Sequence, residues 1–398
     1  MLNLGTLAQT GVFFKIHIQY IQTMKSFARL STLTVLFIIS ACGTNVNSVA
    51  RTDGAIADQT QKHPKNVILM IGDGMGVTQV SSGIYRNKSL NVERINNVGF
   101  SKTSSSAELI TDSAAGATAF SIGEKTYNGA IGVDKDGKPK ETLLELLGSD
   151  GYSTGLIATC AITHATPASF FAHELKRSMQ NEIAADMVNA PVNLFIGGGK
   201  KYFENRVDSK KSPFDDRNII KELEGKGFSF INTLDALETT SGKVGYFLAD
   251  GHPESILKGR DDILPRSIAP SIRHLQKESD KGFFLVVEGS QIDWGGHEND
   301  SEYIITEMID FDKAIGKALD FAEKDGNTLI VITADHETGG YSLRSKDNDY
   351  NQIEGAFTTG GHTGAMVPVF AYGPGSEAFR GIYNNNEIYT KIRQALGR

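Results

Sequence analysis

Short apolar runs alternate with longer amphipathic stretches from Asn66 to the end of the chain. The short runs have the length and composition of buried strands. They are Asn66–Ile71, Thr154–Ala158, Val192–Ile196, Phe283–Val287, Thr328–Thr333 and Val367–Tyr372. Helices are predicted at Glu141–Leu147 and at Glu302–Glu323, where apolar residues recur every three or four positions. This alternation predicts an α/β fold, a three-layer sandwich in which helices flank a mostly parallel central sheet.

The segment before residue 63 follows a different pattern. Basic residues at Lys25 and Arg29 precede the apolar run Leu30–Ala41, which is shorter than the roughly 20 residues of a membrane-spanning helix. This arrangement is typical of a signal peptide. We therefore expect residues 1–41 to be an upstream extension plus signal peptide, residues 42–62 to be a flexible polar linker, and residues 63–398 to be a single catalytic domain.

Cys42 ends the segment Ile39–Cys42, which resembles the lipobox of bacterial lipoproteins. The resemblance implies a lipid on Cys42 that anchors the protein to the outer membrane. A plain signal peptide, which would release the protein into the periplasm, is the alternative. Both interpretations predict export. Cys160 is the one cysteine beyond this segment, so a disulfide framework is excluded.

Composition and charge narrow the class of protein further. The chain has 40 basic and 47 acidic residues and a net charge of −7, and residues 1–41 contain no acidic residue. The rest of the chain, residues 42–398, is therefore more acidic than the whole. Because an acidic protein is repelled by the phosphate backbone, we expect no nucleic-acid partner. Hydrophobic residues at 40% and charged residues at 22% are typical of a soluble globular protein and exclude a disordered or polytopic membrane chain.

Acidic residues follow three of the predicted strands. Asp73 comes after the first strand, Glu288 directly after Val287, and Asp335 with His336 after Thr333. Open α/β sheets bind ligands outside the carboxyl ends of their strands. We therefore expect these side chains to meet in one crevice.

Asp293, His297 and His362 enlarge this set to four carboxylates and three imidazoles. Two like charges ~4 Å apart repel by roughly 4 kcal/mol at an effective dielectric near 20, so the carboxylates need divalent cations to stay ionised together. Imidazole-rich positions favour zinc, and all-oxygen positions favour magnesium. Taken singly, an Asp after a strand is often a helix cap and an isolated His is usually structural. We assign a structural role to the histidines without such neighbours, which are His63, His173, His252 and His274.

Ser113 is the candidate nucleophile. It precedes a run of small residues, Ala114–Ala119, which predicts a tightly packed helix with Ser113 at its N-terminus. The free N–H groups and the dipole of a helix N-terminus favour an anion such as phosphate. A neighbouring zinc ion can activate a serine hydroxyl. The alternative is an ordinary helix-capping serine.

Six motifs occur in a fixed order between residue 66 and the C-terminus. They are Ile71–Gly76, Asp112–Ala119, His164–Ala168, Glu288–Asp293 with His297, Thr333–His336 and His362–Gly364. Together they resemble bacterial alkaline phosphatases. The resemblance implies an alkaline-phosphatase-like fold, a homodimer, and hydrolysis of small phosphomonoesters through a phosphoserine on Ser113. Only 25 residues separate His336 from His362, so the crown insertion of the family should be small here.

The resemblance also implies a set of ligands for two zinc ions and one magnesium ion. Asp293, His297 and His362 would hold one zinc; Asp73, Asp335 and His336 would hold the second; Asp73, Thr166 and Glu288 would hold magnesium. The phosphate-gripping residue would be Arg177, eleven residues after Thr166, oriented by Asp112. Its guanidinium matches two phosphate oxygens, a geometry that a lysine does not reproduce.

His164 and Trp294 occupy pocket positions where some members of the family have Asp and Lys. This difference leaves the identity of the third metal open. A phosphodiesterase of the same superfamily remains an alternative, although a diesterase usually has a Thr nucleophile and no gripping arginine. A non-enzymatic surface metal-binding lipoprotein is the second alternative, but it would need neither Ser113 nor Arg177.

Overall fold

The computed structural model describes residues 63–204, 206 and 215–398. In this part of the chain the strands are β1 Asn66–Gly72, β2 Asn97–Lys102, β3 Ser153–Ala161, β4 Leu194–Gly198, β5 Phe228–Phe230, β6 Lys243–Phe247, β7 Phe283–Gly289, β8 Thr328–Thr333, β9 Glu337–Thr338, β10 Ser342–Lys346, β11 Asp349–Ala356, β12 His362–Thr363, β13 Val367–Tyr372 and β14 Gly381–Asn384. The helices are α1 Val77–Asn87, α2 Ser113–Ile122, α3 Leu143–Ser149, α4 Ala165–Ala168, α5 Gln180–Asp186, α6 Ile219–Gly225, α7 Ile263–Glu278, α8 Ile292–His297, α9 Ser301–Asp325 and α10 Glu387–Ala395.

The predictions for the signal peptide, for Cys42 and for the linker lie outside the described residues. The predicted domain boundary at residue 63 likewise stays a prediction. Among the helices that the structure describes, none combines the length and the apolar character that a bilayer crossing requires.

Ten strands form the central sheet in the order β14-β2-β13-β8-β1-β7-β3-β4-β6-β5. Neighbouring strands run parallel except at β13, which is antiparallel to both β2 and β8. Helices cover both faces, which confirms the predicted α/β class. All six predicted strands are present. The predicted bounds of β3 were too short, because the strand extends from Ser153 to Ala161.

The sheet is buried on both faces, as the continuous apolar character of its central strands requires. Along β1, Val67, Leu69 and Ile71 belong to one core cluster, whereas Ile68 and Met70 belong to the other. The first cluster also contains residues of α2 and α3, and the second contains the apolar stripe of α9. Both faces of the sheet are therefore fixed against helices, which gives the loops at its carboxyl edge a rigid base.

A small insertion separates the two histidine segments near the C-terminus. Strands β10 and β11 form an antiparallel hairpin, and β9 pairs with β12 through the registers His362↔Thr338 and Thr363↔Glu337. The hairpin is the short crown insertion expected from the sequence. The β9–β12 pairing brings His362 next to the segment that carries His336.

Two glycines permit close approach between the loops and helices around the carboxyl edge of the sheet. A Cβ atom on Gly74, whose φ is +73°, would lie 2.7 Å from the Cα of Asp293. A Cβ atom on Gly116 would lie 2.9 Å from the Cβ of Asp335. Larger residues at either position would push α8 or α2 away from this edge.

Candidate active site

The carboxyl ends of three adjacent strands bring the predicted acids together. β1 lies between β7 and β8, and Ile71 is in register with Glu288 on one side and with Thr333 on the other. Asp73 follows β1 directly, and Asp335 follows β8 after one intervening residue. All three carboxylates are fully buried. The sheet order therefore explains why acids far apart in sequence share one crevice.

Asp293, His297 and His362 form the first group of possible metal ligands, with ligand atoms within 4.8 Å of one another. His297 Nε2 lies 3.3 Å from Asp293 Oδ2 and 3.2 Å from His362 Nε2. The Nδ1 atoms of the two imidazoles lie 2.8 Å from the carbonyl oxygens of Gly360 and Thr111. Because a carbonyl only accepts hydrogen bonds, each Nδ1 carries the proton and each Nε2 offers its lone pair to a metal.

Asp73, Asp335 and His336 form the second group. His336 Nε2 lies 3.5 Å from Asp73 Oδ1 and 3.3 Å from Asp335 Oδ2. Asp293 also reaches this place, since one of its carboxylate oxygens lies within 4.8 Å of ligand atoms of Asp73 and His336. The two groups are therefore adjacent. Their imidazoles also touch, because the rings of His336 and His362 stack with centroids 3.5 Å apart.

Thr338 joins the two groups and was not anticipated from the sequence. Its Oγ1 lies 2.5 Å from Asp293 Oδ1 and 3.1 Å from His336 Nδ1. The carboxylate can only accept, so the hydroxyl donates to Asp293 and accepts from His336. His336 therefore carries its proton on Nδ1, and its Nε2 lone pair faces the carboxylates and Ser113.

Asp73, Thr166 and Glu288 form the third predicted group. Both carboxylate oxygens of Asp73, Oγ1 of Thr166 and Oε1 of Glu288 are buried without a hydrogen-bond partner. The other oxygen of Glu288, Oε2, accepts hydrogen bonds from Cys160 at 3.2 Å and from Ser290 at 2.6 Å. The sequence did not predict that Cys160 and Ser290 bind this carboxylate. They hold one oxygen of the carboxylate and leave the other free.

Burial and mutual repulsion raise the pKa values of the three buried carboxyl groups Asp73, Glu288 and Asp335. Burial, reinforced by Asp335, raises the pKa of Asp73 well above its ordinary value. Burial raises the pKa of Glu288 to about 7. Burial together with the charge of Asp293 raises the pKa of Asp335 to about 6. Buried oxygens that lack donors and repel one another are the donor set that a divalent cation satisfies, so these residues fit metal ions.

The pKa values of His336 and His297 are shifted in opposite directions by their surroundings. Burial lowers the pKa of His336 to about 3, which keeps its imidazole neutral and able to ligate. The hydrogen bond with Asp293 raises the pKa of His297 to about 9. Although burial opposes it, the same hydrogen bond holds the pKa of Asp293 below its ordinary value. The protonated form of His297 makes an ion pair with Asp293 across 3.3 Å, and a metal ion bound here would replace the proton on Nε2.

Ser113 is the first residue of α2, as the sequence predicted. The capping residue is Asp112 and not the serine, because Asp112 Oδ1 accepts from the backbone N–H groups of Ala115 and Gly129, both at 3.0 Å. The capping interpretation of Ser113 is therefore wrong. Ser113 Oγ is free of that role and lies 3.3 Å from His336 Nε2.

Arg177 is held by two partners, one of which is Asp112, the residue before Ser113. Nη1 donates to Asp112 Oδ2 at 3.2 Å, and Nη2 lies 3.0 Å from His164 Nε2. A guanidinium only donates, so His164 accepts through Nε2 and carries its proton on Nδ1. Burial, together with the charge of Arg177, lowers the pKa of His164 well below its ordinary value, which keeps this acceptor available.

Of the four histidines assigned a structural role, three form hydrogen bonds away from this crevice. His63, His173 and His274 each pair with a backbone carbonyl. His252 is different, because its ring contacts the rings of Trp294 and His164. Nothing in the sequence around His252 signals this contact, since it depends on how a loop after β6 folds back.

A mostly parallel α/β sheet with clustered possible metal ligands and a serine at its carboxyl edge is typical of metal-dependent hydrolases. The family model for alkaline phosphatase matches residues 64–356. Alkaline phosphatase 3 of Bacillus subtilis is 37% identical, over 84% of this chain and 90% of its own length. The chain belongs to the alkaline phosphatase family, as its motifs indicated.

Solved structures agree with this assignment. The alkaline phosphatase from the Antarctic bacterium TAB5 is 46% identical and superposes with a TM-score of 0.80, over 85% of this chain and 99% of that one. A histidine-to-aspartate mutant of the TAB5 enzyme matches to the same extent and is described with Mg bound in its M3 site.

Proposed function

We propose that this protein is an alkaline phosphatase that hydrolyses phosphomonoesters through a phosphoserine on Ser113. The observation that carries the proposal is the position of Ser113. Its hydroxyl lies 3.3 Å from His336 Nε2, at the start of α2, and the preceding residue Asp112 binds the guanidinium of Arg177. Membership of the alkaline phosphatase family supports the same reaction.

The ligand chemistry supports two zinc ions and one magnesium ion. Asp293, His297 and His362 mix one carboxylate with two imidazoles, a donor set that suits zinc. Asp73, Asp335 and His336 offer one imidazole and two carboxylates, which also suits zinc. Asp73, Thr166 and Glu288 offer only oxygen, which suits magnesium. When bound, such ions supply Lewis-acid stabilisation of the attacking and leaving oxygens.

The residues of the chain supply position and orientation. Arg177 is fixed by Asp112 and His164, and the remaining N–H groups of its guanidinium would donate to two phosphoryl oxygens. Ser113 Oγ loses its proton and forms a bond to phosphorus in line with the leaving oxygen, while the ester bond breaks and the leaving oxygen takes up a proton to become the free alcohol. Water then attacks the phosphoserine from the vacated side and releases inorganic phosphate. Recognition of the phosphoryl group, not of the alcohol, implies a broad range of monoester substrates.

The location and assembly of the protein belong to the same proposal. The segment Leu30–Ala41 and the residue Cys42 support export to the periplasm with a lipid anchor in the outer membrane. Mass spectrometry of the N-terminus of exported protein tests both, because a lipidated Cys42 would be the first residue. Members of the alkaline phosphatase family are typically homodimers, which supports a homodimer here. Analytical ultracentrifugation of the purified protein tests this.

Activity on a chromogenic phosphomonoester and on a matching diester tests the function. We expect hydrolysis of the monoester, loss on chelation, and recovery with zinc plus magnesium. Preference for the diester would favour the alternative phosphodiesterase. Metal binding without either activity would favour a non-enzymatic metal-binding protein.

A phosphoenzyme trap tests the nucleophile. Ser113→Ala should retain its metals and form no phosphoenzyme from labelled substrate. Ser106→Ala, which changes an exposed serine seven residues earlier, is the matched control and should trap label as the wild type does. Label on the Ser113→Ala protein would refute the assignment.

A further inference from the structure

His252 lies on the loop that follows β6 and reaches the phosphate-binding side of the site. Its ring centroid lies 5.0 Å from that of Trp294 and 5.7 Å from that of His164. The rings of His164 and Trp294 lie 6.2 Å apart, and all three pairs are edge-to-face. We call His164, His252 and Trp294 the three-ring cluster. Edge-to-face contacts of this kind fix the orientation of a ring as well as its position.

The imidazole of His252 has a defined orientation. Its Nδ1 accepts a hydrogen bond from the backbone N–H of Ala161 at 3.1 Å. Ala161 is the last residue of β3 and stands three residues before His164. The proton of His252 is therefore on Nε2. Although the ring is partly exposed, its partial burial, with a contribution from Lys201, lowers the pKa of His252 and favours the neutral form that this hydrogen bond needs.

The loop that carries His252 is held at its base by a buried amide. Gln291 Nε2 donates to the carbonyl oxygens of Pro253 at 3.0 Å and of Thr159 at 2.8 Å. Tyr303 donates to the amide oxygen of Gln291 at 2.7 Å. These bonds tie the loop to the end of β3 and to α9. The exposed ring of His252 is thus carried by a rigid base.

His164 connects this ring to Arg177. Its Nε2 accepts from Arg177, whereas its Nδ1 is buried and has no hydrogen-bond partner. One hydrogen bond cannot fix the plane of an imidazole, so the plane depends on the rings packed against it. If the plane of His164 rotates, the acceptor for Arg177 moves.

We propose that His252 is a positioning residue for phosphate binding, which acts by holding His164 in the orientation that presents Nε2 to Arg177. This inference rests on the proposed function, since it assigns Arg177 to the phosphoryl group. It extends that function to a residue outside the six sequence motifs. His252 contacts His164, which with Cys160 and Glu288 forms a group that could hold a metal ion, so the metal content of each variant is part of the test.

The first test compares variants of His252 in the metal-loaded protein. His252→Ala should weaken the binding of inorganic phosphate about three- to tenfold, the range expected for loss of aromatic ring contacts. KM should rise in parallel, with a smaller change in kcat. His252→Phe keeps a ring and should recover most of the affinity. Glu254→Ala, an exposed change on the same loop, is the control and should bind phosphate as the wild type does.

The second test asks whether the effect passes through His164. In a His164→Ala background, His252→Ala should cause no further loss of phosphate affinity, because the connecting ring is already absent. Phosphate affinity is measured by calorimetry, with metal content and thermal midpoint recorded for each variant. Additive losses would overturn the inference, as would wild-type affinity in the His252→Ala protein. If His252→Ala loses metal or folds poorly, the His252→Phe protein decides, and unrecovered phosphate affinity in a folded, metal-loaded Phe variant would overturn the inference.

The failure of this inference is distinguishable from failure of the proposed function. A wild-type protein that neither binds phosphate nor hydrolyses phosphomonoesters would contradict the function itself. A wild-type protein that does both, with variants of His252 that behave identically, would contradict only the role of His252.

Discussion

Replacing Thr338 with valine should weaken zinc binding without unfolding the protein. Thr338 is fully buried, and valine has nearly the same shape, so the packing around it is kept. The change removes the hydroxyl that donates to Asp293 Oδ1 at 2.5 Å and accepts from His336 Nδ1 at 3.1 Å. A buried hydrogen bond to a charged group contributes about 2 kcal/mol, which corresponds to a loss of roughly 30-fold in affinity. Partners that orient metal ligands typically have effects of about this size.

The assay is competition for zinc between the protein and a chromophoric chelator. Thr338→Ser keeps the hydroxyl and is the matched control, which should bind zinc within a few-fold of the wild type. Thermal midpoints of the metal-free proteins check that both variants fold. Wild-type zinc affinity in Thr338→Val, or an equal loss in Thr338→Ser, would refute the argument that the hydroxyl orients these ligands.

Three further changes test other parts of the site and the fold. Arg177→Lys should raise the phosphate inhibition constant by more than tenfold, since an ammonium cannot reproduce the paired N–H contacts; steady-state inhibition measures this. Cys160→Ala should weaken magnesium binding at Glu288, and Cys160→Ser, which keeps a donor, should restore it; equilibrium dialysis distinguishes the two. Asp310→Asn tests a buried ion cluster in which Arg260 bonds both Asp310 and Glu307. Burial raises the pKa of Asp310 to about 6, against about 3.9 in an unfolded chain. The folded state therefore holds the proton more tightly, and stability from this group is complete below about pH 4 and lost as the pH rises through about 6. Glu307, Glu288 and Asp335 also have raised pKa values and remain in the variant, so urea unfolding between these pH values should show a steeper slope in the wild type than in Asp310→Asn.

The central strands were predictable because burial on both faces makes them continuous apolar runs. β1 and β8 are the clearest examples, since every residue in each is buried. β2 was missed because it alternates glycine, polar and partly exposed residues, and β5 because it is only three residues long. Neither segment carries enough apolar character to stand out from a loop.

Helix α7 was missed for a different reason. It contains Pro265 and Pro270, which the sequence pattern treats as helix breakers. Pro265 lies in the first turn, where its missing N–H has no intrahelical partner to lose. Pro270 lies in the interior, and the helix continues because its apolar face, which includes Ile268, Ile272 and Leu275, packs against the sheet. Tertiary packing overrides local propensity here.

The candidate ligands were predictable because their chemistry is distinctive and their positions follow strands. The residues that orient them were not. Thr338 contacts Asp293 across 45 positions of sequence, and Cys160 contacts Glu288 across 128. A threonine or a lone cysteine carries no local signal of such a contact. Only the sheet order, which places β3 beside β7, brings Cys160 to Glu288.

The same long-range contacts mean that the two histidine-containing groups cannot change independently. Asp293 belongs to the first group yet shares the Thr338 hydroxyl with His336 of the second. His336 in turn stacks on His362 of the first group. A displaced Asp293 therefore alters the proton position and the plane of His336, and with them the lone pair that faces Ser113. This coupling is why one hydroxyl, which touches neither the serine nor the phosphate-binding arginine, should influence both metal affinity and the environment of the nucleophile.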